Sequence, residues 1–337
     1  MYSGKTVIAK EFIKRLDACN GPVYIFGHKN VDGDCIGASC GLCEVLRNLG
    51  YESKVLIGED LPEYMDYLSV SDYLIRVNEG DEYTPSLAIA TDCAEGHRMG
   101  ITGKFFEECD NKLVVDHHAS VTIDADNYWI VPDASSASEL TYYLSQELCK
   151  LKGRDEKEVI TKNAAILFLT GIVTDTGRFA YTNTNPETLE VSGELTRLGA
   201  TISPIMFNCF DRKSQGKLKI TSLACLKAQY AYDGKIATSI VTDEMYEECG
   251  AGLNDISEVV SRLRDVEGVV VAIVLRQADN GQVRVNVRSH APFDSSKFAE
   301  EFGGGGHVRA AGCTVNGKDI FELREEMVKR AIELLNE

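Results

Sequence analysis

No stretch of this chain approaches the ~20 consecutive apolar residues that a membrane-spanning helix needs, so none is expected. Positive charge is scarce: 35 Lys and Arg stand against 52 Asp and Glu, a formal net charge of -17. A surface that holds long nucleic acid by its phosphates needs clustered Lys and Arg to displace counterions, and that class of function is set aside. Any anionic substrate must be small and met by a local site. Much of the acid has the ordinary role of solvating helix surfaces.

The cysteines lack the grouping of a structural zinc site. Cys40 and Cys43 form one C-x-x-C pair with no second pair to complete it, and their helical apolar surroundings predict buried thiols. The 11 cysteines are odd in number and scattered, and the opening residues do not resemble a signal peptide. Reduced thiols in a cytoplasmic protein are therefore expected. No predicted strand of the first part is followed by G-x-G-x-x-G, which argues against a dinucleotide-dependent oxidoreductase.

With 337 residues, 44% of them hydrophobic and 26% charged, the chain can build two globular domains, each with its own core. The first two-thirds alternates short apolar runs with amphipathic stretches, predicting an α/β lobe whose mostly parallel sheet carries helices on both faces. Val23–Phe26, Lys54–Ile57, Leu87–Ala90 and Leu113–Val115 read as strands. Ile36–Leu49 reads as a helix stopped by Gly50, Glu158–Val173 as one long buried helix, and Thr184–Glu187 as the start of another, with proline in its first turn. A helical connector is expected over 206–228, between domains at 1–205 and 229–337. In the second, a smaller α/β lobe, Ile236–Val241 reads as a strand, and Val269–Leu275 and Val283–Val287 as a hairpin turning through Asp279-Asn280-Gly281. A cleft between the lobes is the expected place for a ligand.

Acidic and imidazole residues recur at successive element ends. The first strand runs directly into a loop carrying His28, Asp32 and Asp34; another ends at Asp92; another at Asp116-His117-His118; and the long apolar helix leads to Asp175. In open parallel sheets, ligands bind at this carboxyl edge. Each residue alone has an ordinary explanation as a turn former or helix cap. Five carboxylates and three imidazoles on one edge would repel one another without cations. Mixed imidazole and carboxylate donors suit borderline first-row metals, manganese above all, better than magnesium or calcium. Two such ions can activate a water and hold both oxygens of an in-line displacement, which fits phosphoester hydrolysis.

In their order, His28-x3-Asp32-x-Asp34, Asp92, Asp116-His117-His118 and Asp175 resemble the DHH phosphoesterase family, and Gly303–Gly306 followed by His307 and Ala310-Ala311-Gly312 resembles the DHH-associated domain. The resemblance implies two divalent cations, most often Mn2+. His28, Asp32 and Asp92 would hold one, Asp34, Asp92, His117 and Asp175 the other, with Asp92 bridging. It implies catalytic roles for Asp116, orienting an imidazole, and His118, facing the scissile phosphate. In the second lobe, Arg288, Gly304, Gly305, Gly306 and His307 would bind a nucleotide phosphate, with Arg309 a further candidate. Arg178 and Ser135-Ser136 could also touch phosphate or serve as surface and capping residues.

Within the family, this two-lobed chain resembles the oligoribonuclease and pAp-phosphatase type. That implies cleavage of very short RNA, pApA included, to mononucleotides and of pAp to AMP, and suggests a homodimer with no membrane partner. A cyclic-dinucleotide phosphodiesterase remains an alternative. So does an inorganic pyrophosphatase or exopolyphosphatase, although the C-terminal domains of those enzymes lack the glycine-His-Ala-Ala-Gly pattern. A nucleotide sensor that has lost its metals is opposed by the complete ligand set.

Overall fold

Residues 2–125, 127–278 and 281–336 are described by a computed structural model of the chain. Its first unit, Met1–Arg212, is built on strands β1 (Val23–Phe26), β2 (Ser53–Ile57), β3 (Leu74–Arg76), β4 (Leu87–Thr91), β5 (Lys112–Asp116) and β6 (Asn127–Ile130). They pair in the order β3-β2-β1-β4-β5-β6, every pair parallel. A parallel sheet is stable only with both faces covered. Alternation supplies two apolar faces: Ile25, Val55, Ile89 and Leu113 join one core, while Phe26, Leu56, Ala90 and Val114 join the other.

The helices of this unit are α1 (Lys5–Ala18), α2 (Gly33–Asn48), α3 (Gly103–Glu107), α4 (Ala137–Lys152), α5 (Glu156–Val159), α6 (Lys162–Asp175), α7 (Pro186–Arg197) and α8 (Ile202–Met206). α1, α2, α4 and α6 feed the larger core, and Phe105 and Phe106 of α3 the smaller. The expected single helix over 158–173 is two. Ile160 leaves helical geometry, and Thr161 begins again by accepting from the N–H groups of Asn163 and Ala164, so α6 runs on to Asp175. The helix expected at Pro186 forms, closed by a capping box between Asn185 and Thr188. Cys40 and Cys43 are buried on α2, as their spacing predicts.

α2 and α6 cross with their backbones close, because glycines line the crossing. A Cβ on Gly37 would lie 2.5 Å from the Leu167 carbonyl, and one on Gly171 would lie 2.6 Å from Oδ1 of Asp34. Only hydrogen atoms fit there. The crossing carries the first turn of α2, with Asp34, and the last turn of α6, with Asp175, to one place.

The second unit, Lys213–Glu337, comprises α9 (Gln215–Leu226), β7 (Gln229–Ala231), β8 (Ile236–Val241), α10 (Asp243–Cys249), α11 (Val259–Arg264), β9 (Val271–Ala278), β10 (Gln282–Ser289), α12 (Ser295–Glu300), β11 (Gly305–His307), β12 (Ala310–Asn316) and α13 (Ile320–Asn336). Its strand order is β11-β12-β10-β9-β8-β7, with only β8 and β9 parallel. α9, α10 and α11 cover one face, and α12 and α13 the other. The 206–228 stretch contains α9, whose Ile220 and Ala224 are buried in this unit's core. β9 and β10 pair antiparallel, while Asp279 and Asn280 of the expected turn lie outside the described residues.

Candidate metal centre

The sheet order reverses between β1 and β4: β2 lies outside β1 on one side, and β5 outside β4 on the other. Such a switch point opens a crevice at the carboxyl ends of the two strands. β1 delivers His28 and, through α2, Asp32 and Asp34; β4 delivers Asp92; β5, next in order, delivers Asp116, His117 and His118. Asp92 leaves its strand with a left-handed backbone, φ 55°, held by its N–H donating to the Val115 carbonyl at 3.1 Å. A non-glycine residue in that region costs about 1–3 kcal/mol and persists where neighbours fix it.

The side chains meet around Asp92. Nε2 of His28 lies 3.3 Å from Oδ2 of Asp92 and 3.6 Å from Oδ2 of Asp32. Nε2 of His117 lies 3.6 Å from Oδ1 of Asp92, 3.6 Å from Oδ2 of Asp175 and 3.9 Å from Oδ2 of Asp34. The two oxygens of one carboxylate thus face two imidazoles. Three overlapping groups have donor atoms all within 4.8 Å of one another: His28, Asp32 and Asp92; Asp34, His117 and Asp175; and Asp92 with Asp116, His117 and His118.

Hydrogen bonds aim these donors inward. Nδ1 of His28 donates to the Lys29 carbonyl at 2.8 Å, and Nδ1 of His117 to the Ala134 carbonyl at 3.3 Å. Since a carbonyl can only accept, each ring holds a proton on Nδ1 and turns Nε2 toward the carboxylates, the nitrogen that would ligate a cation, as behind metal-bound imidazoles. Asp34 accepts from the N–H groups of Ala137 and Ser138 at the start of α4, at 2.7 and 2.8 Å. Oδ1 of Asp32 accepts from the N–H groups of Asp34 and Cys35, capping α2. Oδ1 of Asp92 and Oδ2 of Asp116 are buried without a hydrogen-bond partner among the described residues. An orphaned carboxylate oxygen beside imidazole nitrogens is a donor set a divalent cation would satisfy, so these residues fit the expected ions.

The charges agree. Burial and the charges of Asp92 and Asp175 push Asp34 well above the usual carboxylate range. Burial, together with Asp92 and Asp32 and against His117, raises Asp175 to about 6. Burial opposes protonation of His28 and His117, yet the surrounding carboxylates carry both up to about 10. Despite its burial, Asp92 is held well below the usual range by the two imidazoles. In the metal-free chain, protons do the neutralising that cations would otherwise do.

Asp116, 0% exposed, accepts at Oδ1 from the N–H groups of His117 and His118 and from Nδ1 of His118, the last at 2.8 Å. His118 is thereby oriented with Nε2 free. Ser135 and Ser136 are wholly buried: Ser136 caps α4 and Ser135 bonds to Glu139. Arg178 turns away to Asp211 at 3.4 Å, its guanidinium 5.0 Å from the Phe210 ring centre. The sequence reading passed over Ala134, whose carbonyl holds His117, and Asn183, which donates to the Ser135 and Asp175 carbonyls. For the turn at Ala134, the signal was the S-x-x-E capping pattern of Ser136 and Glu139.

In the second unit, Arg288 of β10 lies opposite Ala310 of β12, and Gly306 and His307 of β11 pair with Ala311 and Ala310. The glycine run is therefore partly a strand. Gly304 and Gly306 admit no side chain because the β12 backbone passes against them, whereas a Cβ on Gly305 meets open space. Arg288 makes no ion pair among the described residues; Nη1 donates to the Val287 carbonyl at 3.0 Å. Arg309 donates to the Phe293 carbonyl at 2.7 Å.

A parallel α/β sheet with a carboxylate–imidazole cluster at its switch point defines a metal-dependent hydrolase architecture. Residues 22–172 match the DHH family, N-terminal domain, and residues 233–337 the DHHA1 domain. The bifunctional oligoribonuclease and PAP phosphatase NrnA of Thermus thermophilus is 31% identical over 325 residues, 95% of this chain and 92% of that protein. The protein of the same name from Bacillus subtilis is 28% identical over 297 residues, 88% and 90% of the two chains. A crystal structure of an exopolyphosphatase-related protein from Bacteroides fragilis shares the fold, with a TM-score of 0.82 and 22% identity over 97% of this chain and 96% of that one. The chain belongs to the DHH family of phosphoesterases, hydrolases that use divalent metals. None of its described helices is long and apolar enough to cross a membrane.

Proposed function

We propose that the protein is a manganese-dependent phosphoesterase that hydrolyses very short oligoribonucleotides, pApA among them, to mononucleotides and pAp to AMP in the cytoplasm. The observation that carries the two-cation part is Asp92, whose two carboxylate oxygens face His28 and His117 separately. His28, Asp32 and Asp92 would hold one cation, and Asp34, Asp92, His117 and Asp175 the other. Bound there, two divalent cations would supply an activated water and charge neutralisation at the phosphate.

The chain's own groups do the rest. Asp116 holds Nδ1 of His118 and so orients the ring, whose Nε2 would face the leaving oxygen as a hydrogen-bond donor or acid. Arg288, free of any carboxylate among the described residues, would grip a terminal phosphate with the N–H groups of Gly304–Gly306 and His307. The names of the Thermus thermophilus and Bacillus subtilis relatives support short RNA and pAp as substrates. An exterior with a net charge of -17 favours short substrates over long polyanions.

The test is a parallel incubation with Mn2+ of pApA, pAp, a pentamer RNA, cyclic di-AMP and pyrophosphate, with products separated by chromatography. AMP from pApA and pAp, with pyrophosphate intact, is the expected result. Preferential hydrolysis of cyclic di-AMP or pyrophosphate would overturn the assignment of substrate.

A further inference from the structure

Glu139 lies in the first turn of α4, is 0% exposed, and its side-chain hydrogen bonds among the described residues go to Ser135 and Thr188 rather than to a proposed ligand. Its Oε2 accepts from the Ser135 N–H at 3.2 Å, the Ser135 hydroxyl at 2.5 Å and the Thr188 hydroxyl at 3.2 Å. Ser136 answers by accepting from the Glu139 N–H at 3.1 Å. A buried carboxylate is costly to keep in a core, and this one ties the 134–138 turn to itself and to Thr188 of α7.

That turn, Ala134 to Ser138, bonds to two members of one donor group and is joined to the third through Asn183. The Ala134 carbonyl accepts from Nδ1 of His117, and the Ala137 and Ser138 N–H groups donate to the Asp34 carboxylate. Asp175 is tied in through Asn183, whose Nδ2 donates to the Ser135 carbonyl at 2.9 Å and to the Asp175 carbonyl at 3.2 Å. The other group draws on different partners. His28 bonds to Lys29, Asp32 caps α2, and the Asp92 backbone bonds to Val115. The two groups are linked at Asp92 and where the Asp34 N–H donates to Asp32, but the hydrogen bonds of the 134–138 turn reach only the Asp34–His117–Asp175 group.

We propose that the 134–138 turn, locked by Glu139 and bridged by Asn183, is a template that sets the Asp34–His117–Asp175 cation subsite independently of the His28–Asp32 one. Glu139 and Asn183 are positioning residues. Removing the Asn183 amide frees the end of α6 from the turn and lets Asp175 drift, while His28, Asp32 and the Asp92 backbone keep every bond they have. The inference rests on the two-cation reading above.

The test is titration of the full chain with Mn2+ by calorimetry, with electron paramagnetic resonance on the same samples. Wild type should bind two ions and show a spin-coupled pair. Asn183→Ala should bind one ion about 10–100-fold more weakly, keep the other within about threefold, and show the six-line signal of isolated Mn2+ at one equivalent. Glu139→Gln keeps an acceptor oxygen for Ser135 and should move the same site by less; it carries the test if Asn183→Ala fails to fold. Equal weakening of both ions, or of neither, would overturn the template. A wild type that binds fewer than two ions would instead sink the two-cation reading on which it rests.

Discussion

At the scale of single residues, the account turns on Asp92. Replacement by Asn leaves its size and its left-handed backbone tolerable, since Asn adopts that region readily, but removes the charge that both imidazoles face. Asp92→Asn should lose turnover by on the order of 10³-fold or more while its thermal unfolding stays near wild type; activity close to wild type would remove Asp92 from the site. The raised imidazoles make a second prediction. His28 and His117 titrate at about 10 in the metal-free fold against 6.5 for an ordinary histidine. Their protonation therefore stabilises the metal-free fold fully below pH 6.5 and ceases to do so as pH rises through about 10. A cation must displace those protons, so its affinity climbs with pH across that window, and binding at pH 7 to 8 should release protons from both imidazoles and from any carboxyl that burial keeps protonated. Calorimetry in two buffers of different ionisation heat counts them, and a heat independent of buffer would contradict the scheme. The positions of these residues were legible because Asp and His recur where apolar runs stop. The partners that aim them were not, because a backbone carbonyl such as that of Ala134 leaves no trace in residue type.

At the scale of elements, the site depends on how closely α2 and α6 approach. Gly171→Ala would push a methyl against Ser138 and Asp34, and the overpacking should cost about 1–3 kcal/mol and weaken metal binding as Asp34 shifts. On α7, Gly193 has open space, with only the Arg197 guanidinium 3.9 Å away, so Gly193→Ala should be neutral or stabilising by up to about 1 kcal/mol. Thermal unfolding of the two variants separates a crossing requirement from helix propensity; equal effects would deny the crossing its role. Strands β1, β2, β4 and β5 were readable from apolar runs that end in polar residues. The break between α5 and α6 was not, because Thr161 interrupts an otherwise helical pattern by capping rather than by a glycine or proline. The resemblance gives Gly304 and Gly306 a part in binding a nucleotide phosphate. The structure gives them a packing reason, since β12 lies against them, and strand neighbours cannot be read from sequence.

At the scale of the whole molecule, the chain divides into two units with separate cores, and the proposal divides the chemistry in the same way. If Arg288 grips only a nucleotide phosphate, Arg288→Ala should raise KM for pApA and pAp well above tenfold and leave hydrolysis of a small artificial phosphodiester within about threefold. Equal losses on both substrates would show that Arg288 supports the fold or the metal site instead. α9 looks like a connector in sequence, and its buried Ile220 and Ala224 join the second core. The central claim, two cations bridged by one carboxylate, is tested most directly by diffraction from crystals grown with Mn2+, with data collected at the manganese absorption edge. Two anomalous peaks flanking the Asp92 carboxylate, one beside His28 and Asp32 and the other beside Asp34, His117 and Asp175, are predicted. A single peak, or peaks away from Asp92, would contradict the account.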